Sequence, residues 1–275
     1  MELTELGAGL LDLLLPGGCG GCGRAGPGWC AGCDAQLEAS SALELPGGPN
    51  VLAVGRYRGP LRTALLAFKE RGRRDLGVPL AGLLAAAVRP VLPRVAHRSA
   101  AAARDGPAAA PVTWLVPAPS RPAAARARGG DHVLRLCRTL AGLLAGAGHE
   151  VALAPALRLG RQARDSVGLD AGERAANLAG RLRIRPSGLP PPGVAVLLVD
   201  DVVTTGATLR ACRDVLTGAG VAAGWALVLC DATGFPPAAG LGRGSQPARR
   251  TPARRAGRLR PRGGASFSGR APPGR

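Results

Sequence analysis

The chain has 275 residues, 36 basic and 18 acidic, for a net charge of +18, and its 46% apolar content excludes a wholly disordered polypeptide. Ten arginines and no acid fall within residues 241–275, leaving +8 for the rest, so the charge describes a basic tail more than a basic domain. Aromatic residues make up only 3%, which argues against nucleic-acid binding through stacked bases. Lys69 is the only lysine among the basic residues; beside 42 glycines and 25 prolines, this reads as GC-rich coding bias rather than selection for guanidinium chemistry.

Leu3, Leu6, Leu10, Leu13 and Leu14 recur at helical spacing and predict a short amphipathic helix ended by Pro16-Gly17-Gly18. The start is acidic, and no run of about 18 apolar residues follows, so neither a secretory signal nor membrane insertion is expected. Residues 51–57 read as a strand, 61–69 as a helix and 76–89 as an alanine-rich helix. Residues 97–111 shift to an Ala/Pro-rich loop. Beyond it, strands at 112–116, 150–154, 194–199 and 224–230 alternate with helices at 131–147, 171–182 and 207–218. That order predicts an α/β fold with a mostly parallel sheet. Residues 235–275 are Gly, Pro, Arg and Ser without periodicity, and disorder is expected there.

Four of the seven cysteines form two CxxC pairs, Cys19-x2-Cys22-x7-Cys30-x2-Cys33. This is the spacing of a four-thiolate structural zinc knuckle, with all four tetrahedral positions supplied by protein. Redox-active or free thiols are the alternative. The remaining cysteines, Cys137, Cys212 and Cys230, are apolar-flanked and read as small buried hydrophobes. The pattern suits a reducing compartment, and a cytoplasmic protein is expected.

The most informative segment is Val196-Leu-Leu-Val-Asp-Asp-Val-Val-Thr-Thr-Gly-Ala-Thr208. An apolar strand ends in two acids, and a hydroxyl-rich turn then enters a helix. A helix N-terminus after such a turn offers N–H groups and a positive dipole end to a phosphate. Thr204, Thr205 and Thr208 add hydroxyls, Ala207 opens the helix, and Gly206 lets the backbone approach. Two acids facing a phosphate would repel it, but they suit sugar hydroxyls one step away. A plain strand, turn and capped helix is the alternative, although capping needs only one such residue.

The segment closely resembles the phosphoribosyl pyrophosphate (PRPP) motif of type I phosphoribosyltransferases. The resemblance implies a mostly parallel five-stranded core with flanking helices, Asp200 and Asp201 on the ribose hydroxyls, and Thr204–Thr208 around the 5-phosphate. It further implies Mg²⁺ with PRPP, and displacement of pyrophosphate by a nitrogenous acceptor. A four-cysteine knuckle ahead of such a core resembles the ComF family of bacterial competence and DNA-uptake proteins. Leu13-Leu-Leu-Pro16, Tyr57-Arg-Gly-Pro-Leu-Arg62 through Lys69, Val116-Pro-Ala-Pro119 with Arg126-Ala-Arg-Gly129, and Gln162 with Glu173-Arg174-x2-Asn177 are similar to further segments of that family.

On this resemblance, residues 1–45 hold the N-terminal helix and double zinc-ribbon-like knuckle, 46–96 a strand-helix hood or connecting region, 112–234 the phosphoribosyltransferase core, and 235–275 the tail. Pro117, Ala118, Pro119, Arg126 and Arg128 are candidates for a pyrophosphate loop. Arg126, Arg128 and His132 are the candidate catalytic residues, with Asp131 as a helix cap the plainer role for the histidine's neighbourhood. Lys69 is either a phosphate ligand or a cation at a helix C-terminus. Arg128-Gly-Gly-Asp-His132 departs from the family's usual Arg-Gly-Phe-Asn-Gln, which leaves the contacts of this loop open. Competing readings are a non-catalytic PRPP-sensing or scaffold module, and a nucleic-acid protein using the knuckle and tail to contact DNA or the competence machinery.

Overall fold

Apolar side chains on both faces of the central strands require cover on both sides, and the computed structural model shows how it is supplied. It describes residues 17–26, 28–95, 112–160 and 180–234. In chain order these form α1 (Ala31–Asp34), β1 (Ser41–Glu44), β2 (Asn50–Arg56), α2 (Gly59–Glu70), a 3-10 turn (Arg74–Leu76) and α3 (Gly77–Val88). There follow β3 (Thr113–Pro117), α4 (Pro122–Ala127), α5 (His132–Gly146), β4 (Val151–Leu153), β5 (Leu157–Leu159) and β6 (Leu182–Ile184). Finally come β7 (Ala195–Val203), α6 (Ala207–Gly218) and β8 (Trp225–Asp231).

The main sheet has the order β1-β2-β8-β7-β3-β4. Every pairing from β2 to β4 is parallel, and β1 runs antiparallel to β2 at the edge. The expected α/β fold with five parallel strands and flanking helices is therefore present, with β1 as an addition. Side-chain alternation divides the interior in two. Leu52 and Val54, Leu197 and Val199, and Leu227 and Leu229 pack with α2, α3 and α5. Val51 and Ala53, Val196 and Leu198, and Ala226 and Val228 pack with α6 on the other face. Burial on both faces explains why 194–199 reads as an unbroken apolar run. The strand itself continues four residues further, through both aspartates to Val203.

One element differs from the sequence reading, and several segments lie outside the described residues. Leu182, expected to close a helix, instead opens β6, which pairs antiparallel with β5 through Leu159↔Leu182 and Leu157↔Ile184. The inward Leu157 and Leu182 join the α6-side core, and that tertiary burial outweighs local helix preference. The predicted N-terminal helix, the 97–111 loop, residues 161–179 with Gln162, Glu173, Arg174 and Asn177, and the tail lie outside the described residues. The strand and helices of 46–96, set apart in the sequence as a hood or connecting region, lie within the layers of the main sheet.

The topology marks one place on this sheet. From β3 the chain runs through α5 outward to β4; from β7 it runs through α6 the other way to β8. β3 and β7 are neighbours, with Pro117 beside Val199. Connections diverging from adjacent parallel strands create a crevice at the strands' carboxyl ends, where ligands bind in open α/β sheets. The segments 117–131 and 200–208 both border it.

Candidate functional site

β7 delivers its acids to that crevice and then turns sharply. Gly206 caps α6 with φ +74°, a left-handed conformation that favours glycine. A Cβ there would also sit 2.6 Å from Leu45 Cδ1. Thr204 and Thr205 are exposed, Ala207 and Thr208 half-buried, and Thr205 Oγ1 accepts from the Ala207 N–H at 3.4 Å. No side chain of Gly206 can cap α6, so its first turn presents backbone donors to the crevice.

Asp200 and Asp201 are both buried. Asp200 Oδ1 accepts the Asp201 N–H at 2.8 Å. Asp201 Oδ2 accepts from two side chains at once, Lys69 Nζ at 2.6 Å and His132 Nε2 at 2.7 Å. Burial pushes the Asp200 carboxyl well above the usual carboxylate range, and the adjacent Asp201 charge adds to the shift. Burial acts likewise on Asp201, but the hydrogen bond from His132 and the charge of Lys69 outweigh it and hold that carboxyl below the usual range. The adjacent acids are thus driven apart, one toward the neutral form and one firmly ionised.

Local sequence explains how His132 arrives there. Asp131 caps α5: its Oδ1 accepts the N–H groups of Val133 at 3.0 Å and Leu134 at 3.1 Å, as well as the Ser120 hydroxyl at 3.0 Å. The cap ties α5 to the segment after β3 and turns His132 inward, 5% exposed, with Phe68 of α2 edge-on to its ring. The expected cap at Asp131 is present, and the histidine beside it also reaches the acid pair. Pro117 ends β3, and Ala118 is buried, donating its N–H to the Val199 carbonyl at 2.8 Å. Pro119 is half-buried at the crevice edge. Arg126 is exposed on α4. Arg128 forms a forked pair with Glu70, Nε to Oε2 at 3.1 Å and Nη2 to Oε1 at 3.0 Å.

Three successive residues at the end of α2 therefore each meet a candidate site residue: Phe68 with His132, Lys69 with Asp201 and Glu70 with Arg128. The sequence offers Lys69 as a candidate without its partner, and no motif marks Phe68, Glu70 or Ser120. The available signal was a lone lysine held at a helix end in an arginine-rich chain.

The four cysteine sulfurs form a second cluster, all within 4.8 Å of one another. Cys19 and Cys33 lie 3.6 Å apart, and Cys22 and Cys30 lie 3.7 Å apart. A tetrahedral zinc with bonds of about 2.3 Å sets its sulfurs about 3.8 Å apart, so the arrangement fits. Burial pushes the Cys19 thiol up, but the N–H groups of Cys22, Cys30 and Gly21 bring it down to about 6. Burial and hydrogen bonding to Cys19 push Cys33 up. The knuckle leans on α2 and the turn after it. A Cβ on Gly20 would meet Leu76 Cδ1 at 2.7 Å, one on Gly21 would meet Pro60 Cβ at 2.8 Å, and Arg73 Nη2 donates to the Gly18 carbonyl at 2.8 Å. The other three cysteines are fully buried, as expected, and burial raises their thiols, Cys230 to about 12. Among the described residues no helix is long and apolar enough to cross a membrane.

No family model matches the chain, and no curated protein matches it. Among solved structures, a hypoxanthine phosphoribosyltransferase of Trypanosoma cruzi overlaps at 17% identity and a TM-score of 0.30, covering 57% of this chain and 70% of its own. The T. cruzi enzyme with its product IMP overlaps at 18% identity and a TM-score of 0.28, covering 57% and 72%. At such scores, the fold rests on the topology described above and not on these overlaps.

Proposed function

We propose that the protein binds PRPP at the crevice between β3 and β7 and transfers its phosphoribosyl group to a nitrogenous acceptor, as a ComF-like phosphoribosyltransferase. The observation that carries this reading is the β7–α6 junction. There, two buried acids precede a left-handed glycine and an uncapped helix start, at the topological switch point and in the residue order of the PRPP motif. Asp200 and Asp201 hydrogen-bond the ribose hydroxyls, and Thr204–Thr208 surround the 5-phosphate. Mg²⁺ bound along with PRPP would supply charge neutralisation for the departing pyrophosphate. The chain's contribution is to orient the ribose and hold the phosphate end still.

The four thiols hold zinc in a closed structural site, since every coordination position is filled by protein. A role in competence rests on the ComF resemblance alone. A non-catalytic PRPP-binding module is the second reading, favoured by Arg128, whose guanidinium is turned onto Glu70.

Calorimetric titration with PRPP and Mg²⁺ tests the binding, and pyrophosphate release across a panel of nitrogenous bases tests the transfer. Replacing Asp200 and Asp201 together by alanine abolishes measurable binding on this reading; unchanged affinity overturns it. Binding without turnover on any base selects the second reading.

A further inference from the structure

We propose that Lys69 is a positioning residue of the ligand site: together with His132 it clamps one oxygen of Asp201, so that the other oxygen is the one offered to ligand. The inference rests on the reading of Asp200 and Asp201 as hydrogen-bonding partners of a vicinal diol.

The geometry is specific. An aspartate carboxylate turns readily about its last bond and can offer either oxygen. Here both donors converge on Oδ2, at 2.6 Å from Lys69 Nζ and 2.7 Å from His132 Nε2, which removes that freedom. Among the described residues no side-chain nitrogen reaches Oδ1 of Asp201, and the group beside it is the Asp200 carboxyl. Asp200 repeats the pattern, with Oδ1 taken by the Asp201 N–H and Oδ2 left over. One internally satisfied oxygen on each acid leaves one oxygen apiece, an acceptor on ionised Asp201 and the carboxyl Oδ2 of Asp200, a pair that suits two neighbouring hydroxyls because each hydroxyl can both donate and accept.

The residue type matters as well. A lysine ammonium is a compact point charge that can share a single oxygen with an imidazole, whereas a guanidinium fork calls for two acceptor positions. Lys69 is the chain's one lysine. Its helix is anchored in the core through Leu65 and Phe68, and Ala64 and Pro60 of the same helix lie against Gly20 and Gly21 of the cysteine knuckle. The groups facing Asp201 are Lys69 from α2, His132 from α5, Asp200 from its own strand and the Cys230 thiol from β8.

The test compares full-length wild type with Lys69→Met and Lys69→Arg, using PRPP with Mg²⁺ in calorimetry from pH 3 to 9. Asp201 ionisation is read separately by carboxyl ¹³C NMR without ligand. The clamp predicts that Lys69→Met weakens PRPP binding by roughly ten- to a hundredfold and moves the acid limb of the binding profile to higher pH, because Asp201 loses the charge that keeps it ionised. Lys69→Arg keeps the charge and melts like wild type, yet binds more weakly because the fork displaces His132. Wild-type affinity and pH profile in Lys69→Met overturn the proposal. If that variant does not fold, wild-type binding by Lys69→Arg overturns it instead. If wild type itself does not bind PRPP, the proposed function fails, and NMR still decides the clamp: an Asp201 titration unchanged by either substitution overturns it.

Discussion

The sulfurs that meet in the cysteine knuckle lie 14 and 8 positions apart in sequence, whereas Asp201 is held by side chains 132 and 69 positions away. The knuckle is assembled locally and depends on what the thiols bind. The crevice is assembled by the fold: β7 supplies the acids, while α2 and α5 decide how one of them is presented. α2 serves both regions, because Pro60 and Ala64 in its first half and the turn after it meet the knuckle and its last turn enters the site. A local motif and a distributed site should therefore fail differently, and the helix between them should transmit part of the failure.

The largest effect is expected from breaking the local side. Cys30→Ser leaves three thiolates for a site that needs four, and structural zinc in small modules contributes roughly 10 kcal/mol or more to folding. Because this knuckle also leans on the core, a loss of about 3 kcal/mol is expected, lowering the melting temperature by about 6–12 °C. Metal analysis should fall from about one zinc per chain to nearly none. PRPP affinity should fall as well, through α2; unchanged affinity would show the two regions to be independent.

Gly206→Ala strikes the distributed side at the turn into α6. The left-handed backbone costs about 1–2 kcal/mol for a residue with a Cβ, and the methyl would press on Leu45 at 2.6 Å. A total destabilisation of about 2 kcal/mol is expected in denaturant melts, together with weaker PRPP binding because the first turn of α6 shifts. A neutral melt would mean that β1, which carries the core strand residues leading to Leu45, yields easily.

Asp200→Asn should move stability the other way. The native carboxyl is raised above its unfolded value by burial and by Asp201. The folded state therefore keeps a proton that the unfolded chain releases, and wild-type stability declines as pH rises above the ordinary carboxylate range. The asparagine variant lacks this term. Its advantage should be absent near pH 3 and grow to about 1 kcal/mol at neutral pH, while PRPP binding weakens. An advantage that is largest in acid would contradict the assignment.

These contrasts also show which parts of the molecule could be read in advance. The β7–α6 segment was legible because strand, turn and helix start are contiguous, and its helix is found at the expected residues, 207–218. The five parallel strands were legible because apolar runs and amphipathic helices alternate. β1 was not, since four residues at a sheet edge carry too little pattern to separate them from a loop. Nor was the β5–β6 pair, whose two strands gain their meaning only when Leu157 and Leu182 meet the α6-side core. For the site, Asp200 and Asp201 were visible and Lys69 was a candidate, but the pairing of Lys69 with Asp201 and the part of Glu70 were not, because they arise only when the end of α2 meets β7 and Arg128 in the fold. The convergence of two donors on one carboxylate oxygen leaves no spacing rule in the sequence.

Arg128 provides the smallest effect on stability and the finest test of the distributed site. Its pair with Glu70 resembles that of Lys69 with Asp201, both being anchored at the end of α2, but the setting differs: Glu70 is 47% exposed and Asp201 only 9%. An ion pair so open to water contributes between nothing and about 1 kcal/mol. Arg128→Ala should therefore leave the melt almost unchanged. If Arg128 turns to a pyrophosphate when PRPP binds, the substitution should weaken affinity by up to about tenfold, or about 1.4 kcal/mol. Glu70→Gln should then act oppositely, since an arginine released from its carboxylate is freer to meet the ligand. Opposite changes in the two titrations would give Glu70 the part of a holder that yields to ligand. Equal affinities in both variants would confine Arg128 to the exposed pair and leave the phosphate end to the first turn of α6.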